Sequence, residues 1–497
     1  MNILSKGTST LDLRLTRQSI WILWGFVAVI LLSRFLSCRP LLDGPESVNF
    51  ALALHQYDLT ALQPHLPGFP VYLFFARLFS LVGISDALSL ILPGLLSAAF
   101  AVFPLFQLTR RCYGITTAYL ALVLYTLHPG LWIAAVRPSY HAFLLFPFFF
   151  GLRMLLRSLL LPTYLRQKTR FLGLYAGALF LSLLSGIEGA AILFLPTLFG
   201  FALYGYIRLK RPTIFLESLN GVIAGFSVWA IPFFFTVSIG DIISVGAGLR
   251  SYTYLPPLSS EAFSIPAKGV AFLWNFFQAG FGADFSVHPF RAGMITLVTG
   301  LSLLFFLFSL RPVLKVLYLP IFILPYTLWI FFQGNLLNSS ATLLSQAAAV
   351  IFMAVGLERM AFLWLKQTVV VFLILLFSLV SLEQSVENRR RLPPQREMAE
   401  MVSRLGPPEA LLLFCGPSVR LFKHIYPDYL CFGIRSINEI EIFLQNPEGR
   451  TILLTSEVDG VDGDRSRFEP MGCFAGNEGL YGKENKIILY RLRSSPP

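Results

Sequence analysis

The chain has 497 residues, of which 55% are apolar and only 13% charged, with 48 phenylalanines and a mean hydropathy of +0.68. Soluble globular proteins carry about 25% charge, so a water-soluble enzyme is excluded, as are a disordered chain and a disulfide-stapled secreted domain. The formal charge of +12 belongs to residues 1–383, because residues 384–497 hold 15 basic and 15 acidic side chains. That bias marks the short cytoplasmic loops of a polytopic membrane protein. It does not mark a nucleic-acid surface, since no basic stripe lies on a polar unit.

A membrane helix needs about 20 apolar residues. The first such stretch is 20–38, preceded by Lys6, Arg14 and Arg17. No small-x-small cleavage site follows it, and Phe35-Leu36-Ser37 before Cys38 makes a poor lipoprotein box. The stretch therefore reads as a retained first span with the N-terminus inside. Further apolar segments lie near 68–84, 86–108, 114–134, 140–160, 171–206, 219–239, 290–310, 313–333, 341–358 and 362–382. Segment 68–84 is short and carries Arg77, whereas 171–206 is long enough for two short helices around Ser185-Gly186. With 68–84 in the outer interface and 171–206 as a hairpin, the basic clusters around Arg110, Arg153, Arg208, Arg311 and Arg359 all face the cytoplasm. The expectation is an all-α membrane unit of about eleven spans over 1–383, with outer loops at 39–85 and 240–289.

Residues 384–497 open with a charged, proline-bearing linker, Glu387 to Gln395. They then alternate strand-like runs (409–415, 451–455, 486–492) with helix-like ones (417–425, 437–446), the pattern of a small extracytoplasmic α/β domain. Five cysteines (Cys38, Cys112, Cys415, Cys431, Cys473) form no CxxC pair and no metal spacing. One pair among the three in the tail could be oxidised outside the cytoplasm. No nucleotide-binding glycine motif is present.

Chemistry concentrates just after the first span. Asp43 and Glu46 stand in LLDGPES, where Gly44-Pro45 starts a helix and Asp43 serves equally as its cap or as a general base at the membrane boundary. Pro64-His65-Leu66-Pro67-Gly68-Phe69-Pro70-Val71-Tyr72 follows, a rigid turn leading into an apolar helix with Arg77. Arg77 could equally snorkel to the headgroups. Glu188, within an apolar segment, is a functional candidate by its position alone. Asp284 and His288 in GFGADFSVHPF could serve an acceptor or a metal, although an ordinary interfacial turn explains them as well.

The D-x-x-E behind span one, followed by the P-H-x-P-G-F-P-x-Y turn, resembles the GT-C membrane glycosyltransferases. The resemblance is strongest to bacterial relatives of the protein O-mannosyltransferases and the lipid A aminoarabinose transferase. It is clear over about 39–160 and extends to about 340, where LWIFFQGNLLNSS is similar to the family's late outer loop. It implies sugar transfer from a polyprenyl-phosphate carrier to a lipid, glycan or protein hydroxyl at the outer face of a bacterial inner membrane, usually with inversion. Asp43 would be the general base or the ligand of a divalent ion such as Mg or Mn, with Glu46 beside it. His65, Arg77, Arg250, Lys268 and Arg291 would contact the donor phosphate. Two departures stand out: Ser185-Gly186-Ile187-Glu188-Gly189 where many relatives carry a basic residue, and Asn338-Ser339-Ser340 in the late loop. The competing readings are a lipid-linked glycan flippase or transporter, and a glycan polymerase or ligase. No internal repeat and almost charge-free spans disfavour transport.

Overall fold

In the hydrocarbon of a bilayer every backbone polar group must find its partner within its own segment, so apolar runs of this length become helices. The computed structural model describes residues 16–160, 167–209, 212–248, 265–285, 287–308, 314–333, 340, 342–434, 436–440, 450–458, 461, 467–475 and 486–493. In chain order the helices begin with α1 (Arg17–Ser37), α2 (Pro45–His55), α3 (Pro70–Leu81), α4 (Asp86–Phe100) and α5 (Val102–Tyr113). Then come α6 (Ile115–Leu127), α7 (Pro129–Ala134), α8 (Leu145–Leu160), α9 (Gln167–Leu183) and α10 (Phe194–Leu209). They continue with α11 (Thr213–Thr236), α12 (Ile239–Gly248), α13 (Ile265–Trp274), α14 (Pro289–Phe308) and α15 (Leu314–Gln333). The last are α16 (Leu343–Glu358), α17 (Leu363–Arg390), α18 (Pro394–Leu405) and α19 (Val419–Ile425).

Among the described residues, 7 helical stretches are long and apolar enough to cross a membrane, and shorter apolar helices cover Pro70–Leu81, Ile115–Leu127, Phe171–Gly186, Val316–Phe332 and Leu343–Glu358. The last four of these coincide with expected spans. The expected break in 171–206 is present: α9 ends in a 3-10 turn at Leu184–Gly186, and a second turn, Gly189–Leu193, leads into α10. Helix α3, with 12 residues, is about 18 Å long and cannot cross a core of roughly 30 Å. It buries Val71, Tyr72, Leu73 and Ala76 while Phe74, Phe75, Leu78 and Leu81 stay exposed. Apart from Arg77 both faces are apolar, one packed on protein and one turned outward, which suits a short helix held against protein at the lipid boundary.

Close helix packing rests on small residues. Gly173 and Gly177 of α9 face α8, and Gly221 and Gly225 of α11 face the backbone of α9 at Tyr175 and Leu179. Near the ends of α5 and α8, Arg111, Arg153 and Arg157 lie near enough to repel one another.

The C-terminal sheet has the order β2-β1-β3-β5-β4, with β1 (Leu411–Cys415), β2 (Leu430–Gly433), β3 (Thr451–Thr455), β4 (Phe468–Ala475) and β5 (Lys486–Leu492). Strand β1 is parallel to β2 and β3, while β5 runs antiparallel to β3 and β4. Three strands match the expected ones. Strand β2 is only 4 residues long, and β4 carries Pro470 and a bulge before Gly472, so neither shows the alternation that reveals a strand. The expected linker is instead the end of α17 and the start of α18, because Pro394 occupies the first helical position, where proline is tolerated. Of the expected helix 437–446, a 3-10 turn forms at Ile437–Ile440, and 441–446 lie outside the described residues. The thiols of Cys415 and Cys431 are 3.1 Å apart and buried.

Candidate active site

The site is built where α2 begins. Pro45 fixes the first turn, and Ser47 Oγ accepts from the Asp43 and Gly44 amides at 3.0 and 3.1 Å while donating to Gly44 O at 2.8 Å. Ser47, not Asp43, therefore satisfies the helix start. The Asp43 carboxylate is free to meet Arg137, whose Nε and Nη2 both approach Oδ2 at 2.6 Å. Among the described residues its Oδ1 accepts no hydrogen bond.

One turn on, Glu46 faces the proline-rich turn, with Oε1 3.8 Å from His65 Nε2. Several contacts hold that turn. Tyr57 Oη donates to Gly68 O at 2.9 Å, and Asp58 and Gln63 exchange backbone hydrogen bonds at 2.6 and 2.7 Å. Gly68 has φ +96, and a side chain there would strike the Tyr57 hydroxyl and the Phe233 ring, so only glycine fits. Leu62 and Phe69 also adopt left-handed φ, at 56 and 50, a strain found mostly where function holds the backbone in place.

Glu188 arrives from the α9–α10 break. Gly189 packs on Pro67, Gly186 on Trp229 and Val71, and Tyr326 Oη donates to Glu188 Oε2 at 2.8 Å. Glu46 and Glu188 are close enough to disfavour each other's charge, and both act on Tyr140. Glu46 is thus within electrostatic reach of both other carboxylates, Asp43 and Glu188. The Glu46 side chain is 39% exposed, yet enclosure by protein, with the Asp43 charge adding to it, pushes its pKa up to about 7. Desolvation likewise raises Glu188 to about 7. Desolvation and the positive charge of Arg420 lower His65 to about 4, so its imidazole is neutral at pH 7. It can meet a phosphate as a hydrogen-bond donor rather than as a cation.

The remaining predicted residues are dispersed. Arg77 is on the exposed side of α3. Lys268 donates to Phe332 O at 3.2 Å. Arg291 and His288 both engage Glu383 of α17, His288 at 3.3 Å, and Asp284 Oδ1 accepts from the Val287 amide at 3.2 Å in the turn before α14. Arg250 and Asn338-Ser339 lie outside the described residues. No group of three or more His, Cys, Asp or Glu side chains suited to a metal occurs among the described residues.

Arg137, Tyr140, Tyr326 and Arg420 were not singled out from the sequence. Arg137 carried a signal: an arginine closing an apolar segment, followed by Pro138-Ser139-Tyr140. The others carried none.

No protein-family profile matches the chain, and no curated protein matches it by sequence. Solved structures do match. ArnT from Cupriavidus metallidurans bound to undecaprenyl phosphate is 13% identical with a TM-score of 0.53, over 96% of this chain and 99% of that one. Its apo state gives a TM-score of 0.54 at 13% identity, over 96% and 98%. The Archaeoglobus fulgidus oligosaccharyltransferase in complex with Zn and sulfate is 11% identical with a TM-score of 0.51, over 93% and 73%. The chain is an integral membrane protein that shares the fold of these solved structures, a bundle of apolar helices followed by a small α/β unit.

Proposed function

We propose that the chain is a glycosyltransferase that takes a sugar from a polyprenyl-phosphate carrier and passes it to a lipid, glycan or protein hydroxyl. The observation that carries this reading is the approach of Glu46 to His65 at 3.8 Å beside the Asp43–Arg137 pair, with Glu188 near enough to feel the Glu46 charge. The undecaprenyl phosphate bound to ArnT supplies the donor class. We further read 1–383 as the membrane domain and 384–497 as an extracytoplasmic one. The N-terminus is then cytoplasmic and the reaction occurs on the outer side of a bacterial inner membrane.

The chemistry is a single displacement. The acceptor O–H bond breaks as its proton passes to Asp43 Oδ1, the oxygen that Arg137 leaves available. The acceptor oxygen bonds to the anomeric carbon from the face opposite the carrier, the bond from that carbon to the phosphate oxygen breaks, and polyprenyl phosphate departs with the electron pair. Attack from the opposite face inverts the anomeric centre. A departing phosphate needs hydrogen-bond donors and positive charge rather than a strong acid. Neutral His65 can donate one hydrogen bond, and Arg137 supplies the nearby charge. Glu46 and Glu188, poised between protonation states near neutrality, can both donate to and accept from sugar hydroxyls. The Zn in the archaeal oligosaccharyltransferase structure supports a divalent ion such as Mg or Mn as a further source of positive charge.

Transfer of labelled sugar from polyprenyl-phosphate donors in membranes carrying wild type or Asp43→Asn tests the reading. The swap preserves shape and removes the base, so the rate should fall about 10²–10⁴-fold at unchanged expression. Equal rates in the two would remove Asp43 from the chemistry.

A further inference from the structure

The C-terminal sheet unit reaches α2 and the loop before His65 through the short helix α19. Leu421 on that helix is 1% exposed and belongs to the same apolar core as Val48, Phe50 and Ala51 of α2. Next to it Arg420 turns its guanidinium toward the loop before His65. Nη1 donates to Asn49 Oδ1 at 2.6 Å and to Leu62 O at 3.3 Å, and Nη2 donates to Ala61 O at 2.7 Å.

These acceptors come from two different elements. Asn49 is 7% exposed and stands one helical turn from Glu46 on α2, so its side chain shares Glu46's face. Ala61 and Leu62 end the loop that leads directly into Gln63-Pro64-His65. One planar cation thus ties the helix that carries Glu46 to the turn that carries His65. Ring contacts of Phe50 with His65 and Phe69, centroids 5.7 and 5.1 Å apart, and the 3.8 Å approach of Glu46 to His65 also join the two, but they restrict distance rather than rotation. Arginine suits the task because its donors form a rigid fork; a lysine ammonium on a flexible stem would not hold the three acceptors in one plane. The guanidinium is engaged with protein oxygens, so its part is to hold other groups rather than to touch substrate.

Resting on the transferase reading above, we propose that Arg420 is a positioning residue: from the C-terminal unit it locks α2 to the His65 turn, so that Glu46 and His65 keep their mutual geometry only while that unit is docked. The α/β unit is then part of the active site's framework rather than a cover over it. Displacing a catalytic constellation by about 1 Å can cost about 10²-fold in rate, and the loss should fall on kcat because the clamp does not touch the donor.

The test uses the full-length protein in detergent or nanodiscs, with Arg420→Gln, Arg420→Lys, Asn49→Ala and, as a control on exposed α19 surface, Lys423→Gln. Hydrogen exchange should quicken over residues 45–66 in the first three variants, with β1, β3 and the spans unchanged. The control should match wild type. In sugar transfer, Arg420→Gln and Arg420→Lys should lose about 10²-fold in kcat with donor KM little changed, and lysine should not rescue. Asn49→Ala removes the other end of the clamp with the sheet unit untouched, so it separates a lost lock from a misfolded tail. Exchange over 45–66 that stays at the wild-type rate in all variants overturns the clamp. Faster exchange with wild-type kcat overturns its role in the reaction. A wild type that transfers no sugar would instead refute the transferase reading, and the exchange data would still judge the clamp.

Discussion

Glu46 sits in a site that water can enter but that protein surrounds, and its charge is opposed by Asp43 nearby. Its pKa therefore rises from the ordinary carboxylate range to about 7 on folding. The folded state binds a proton that the unfolded state has released between about pH 4.5 and 7, so this residue's contribution to stability is fully present at low pH and lost as pH rises through 7. Glu46→Gln removes the ionisation. Melting temperatures of wild type and variant in detergent should run parallel below about pH 4.5, diverge between about pH 4.5 and 7 and hold that gap at pH 8, with the variant the more stable there. A constant offset across that range would show that Glu46 does not titrate in the folded protein. Residue-scale chemistry was legible where it is local: Asp43, Glu46 and His65 lie within one loop. Its partners were not. Arg137 is 94 residues from Asp43, Tyr326 is 138 from Glu188, and Arg420 is 371 from Asn49. Nothing in the composition around a tyrosine in an apolar segment tells which carboxylate it will meet.

At the scale of elements, the period and length of apolar runs delivered the spans, and positive charge chose between two ways of cutting 171–206. The choice of a hairpin has a consequence that the expectation did not contain, because the break at Ile187-Glu188 is what brings Glu188 against the Pro67 turn. Packing of α9, α8 and α11 depends on backbone approach at glycines, since apolar burial gives no net drive between helices already in lipid. At Gly221 an added Cβ would meet Ala178 Cβ at 2.8 Å as well as the Tyr175 carbonyl, and backbone cannot yield as a flexible side chain would. Gly221→Leu should therefore destabilise by about 1–3 kcal/mol, the usual range for overpacking, seen as a lower melting temperature in detergent. Gly200 of α10 meets nothing within 4 Å, so Gly200→Ala should leave the melting temperature unchanged or raise it. Equal effects at both positions would mean that α11 does not seat on α9 through Gly221. Strands β2 and β4 escaped the sequence for the opposite reason: their pairing, not their own pattern, makes them strands.

The molecule as a whole carries its chemistry at one end and its basic cluster at the other, and this polarity predicts sidedness. Arg111, Arg153 and Arg157 gather at the ends of α5 and α8, where an excess of arginine is retained in the cytoplasm. Asp43, Glu46 and Glu188 lie at the other end of the bundle, beside the sheet that Arg420 connects to α2. A polyprenyl-phosphate donor presented on the outer leaflet can meet the carboxylates only if this sheet end faces out. Cys473 on β4 offers a native reporter, because it is exposed whereas Cys112, Cys415 and Cys431 are buried. A membrane-impermeant maleimide applied to intact spheroplasts should label the wild type, and Cys473→Ser should remove that signal. In a Cys473→Ser background, Arg359→Cys, at an exposed position between α16 and α17, should react only after lysis. Labelling at 359 in intact spheroplasts, with Cys473 silent until lysis, would reverse the orientation and move the cavity to the cytoplasmic side. The donor would then have to be used on the inner leaflet, and the outward-facing reaction proposed here would fall even with Asp43 as its base.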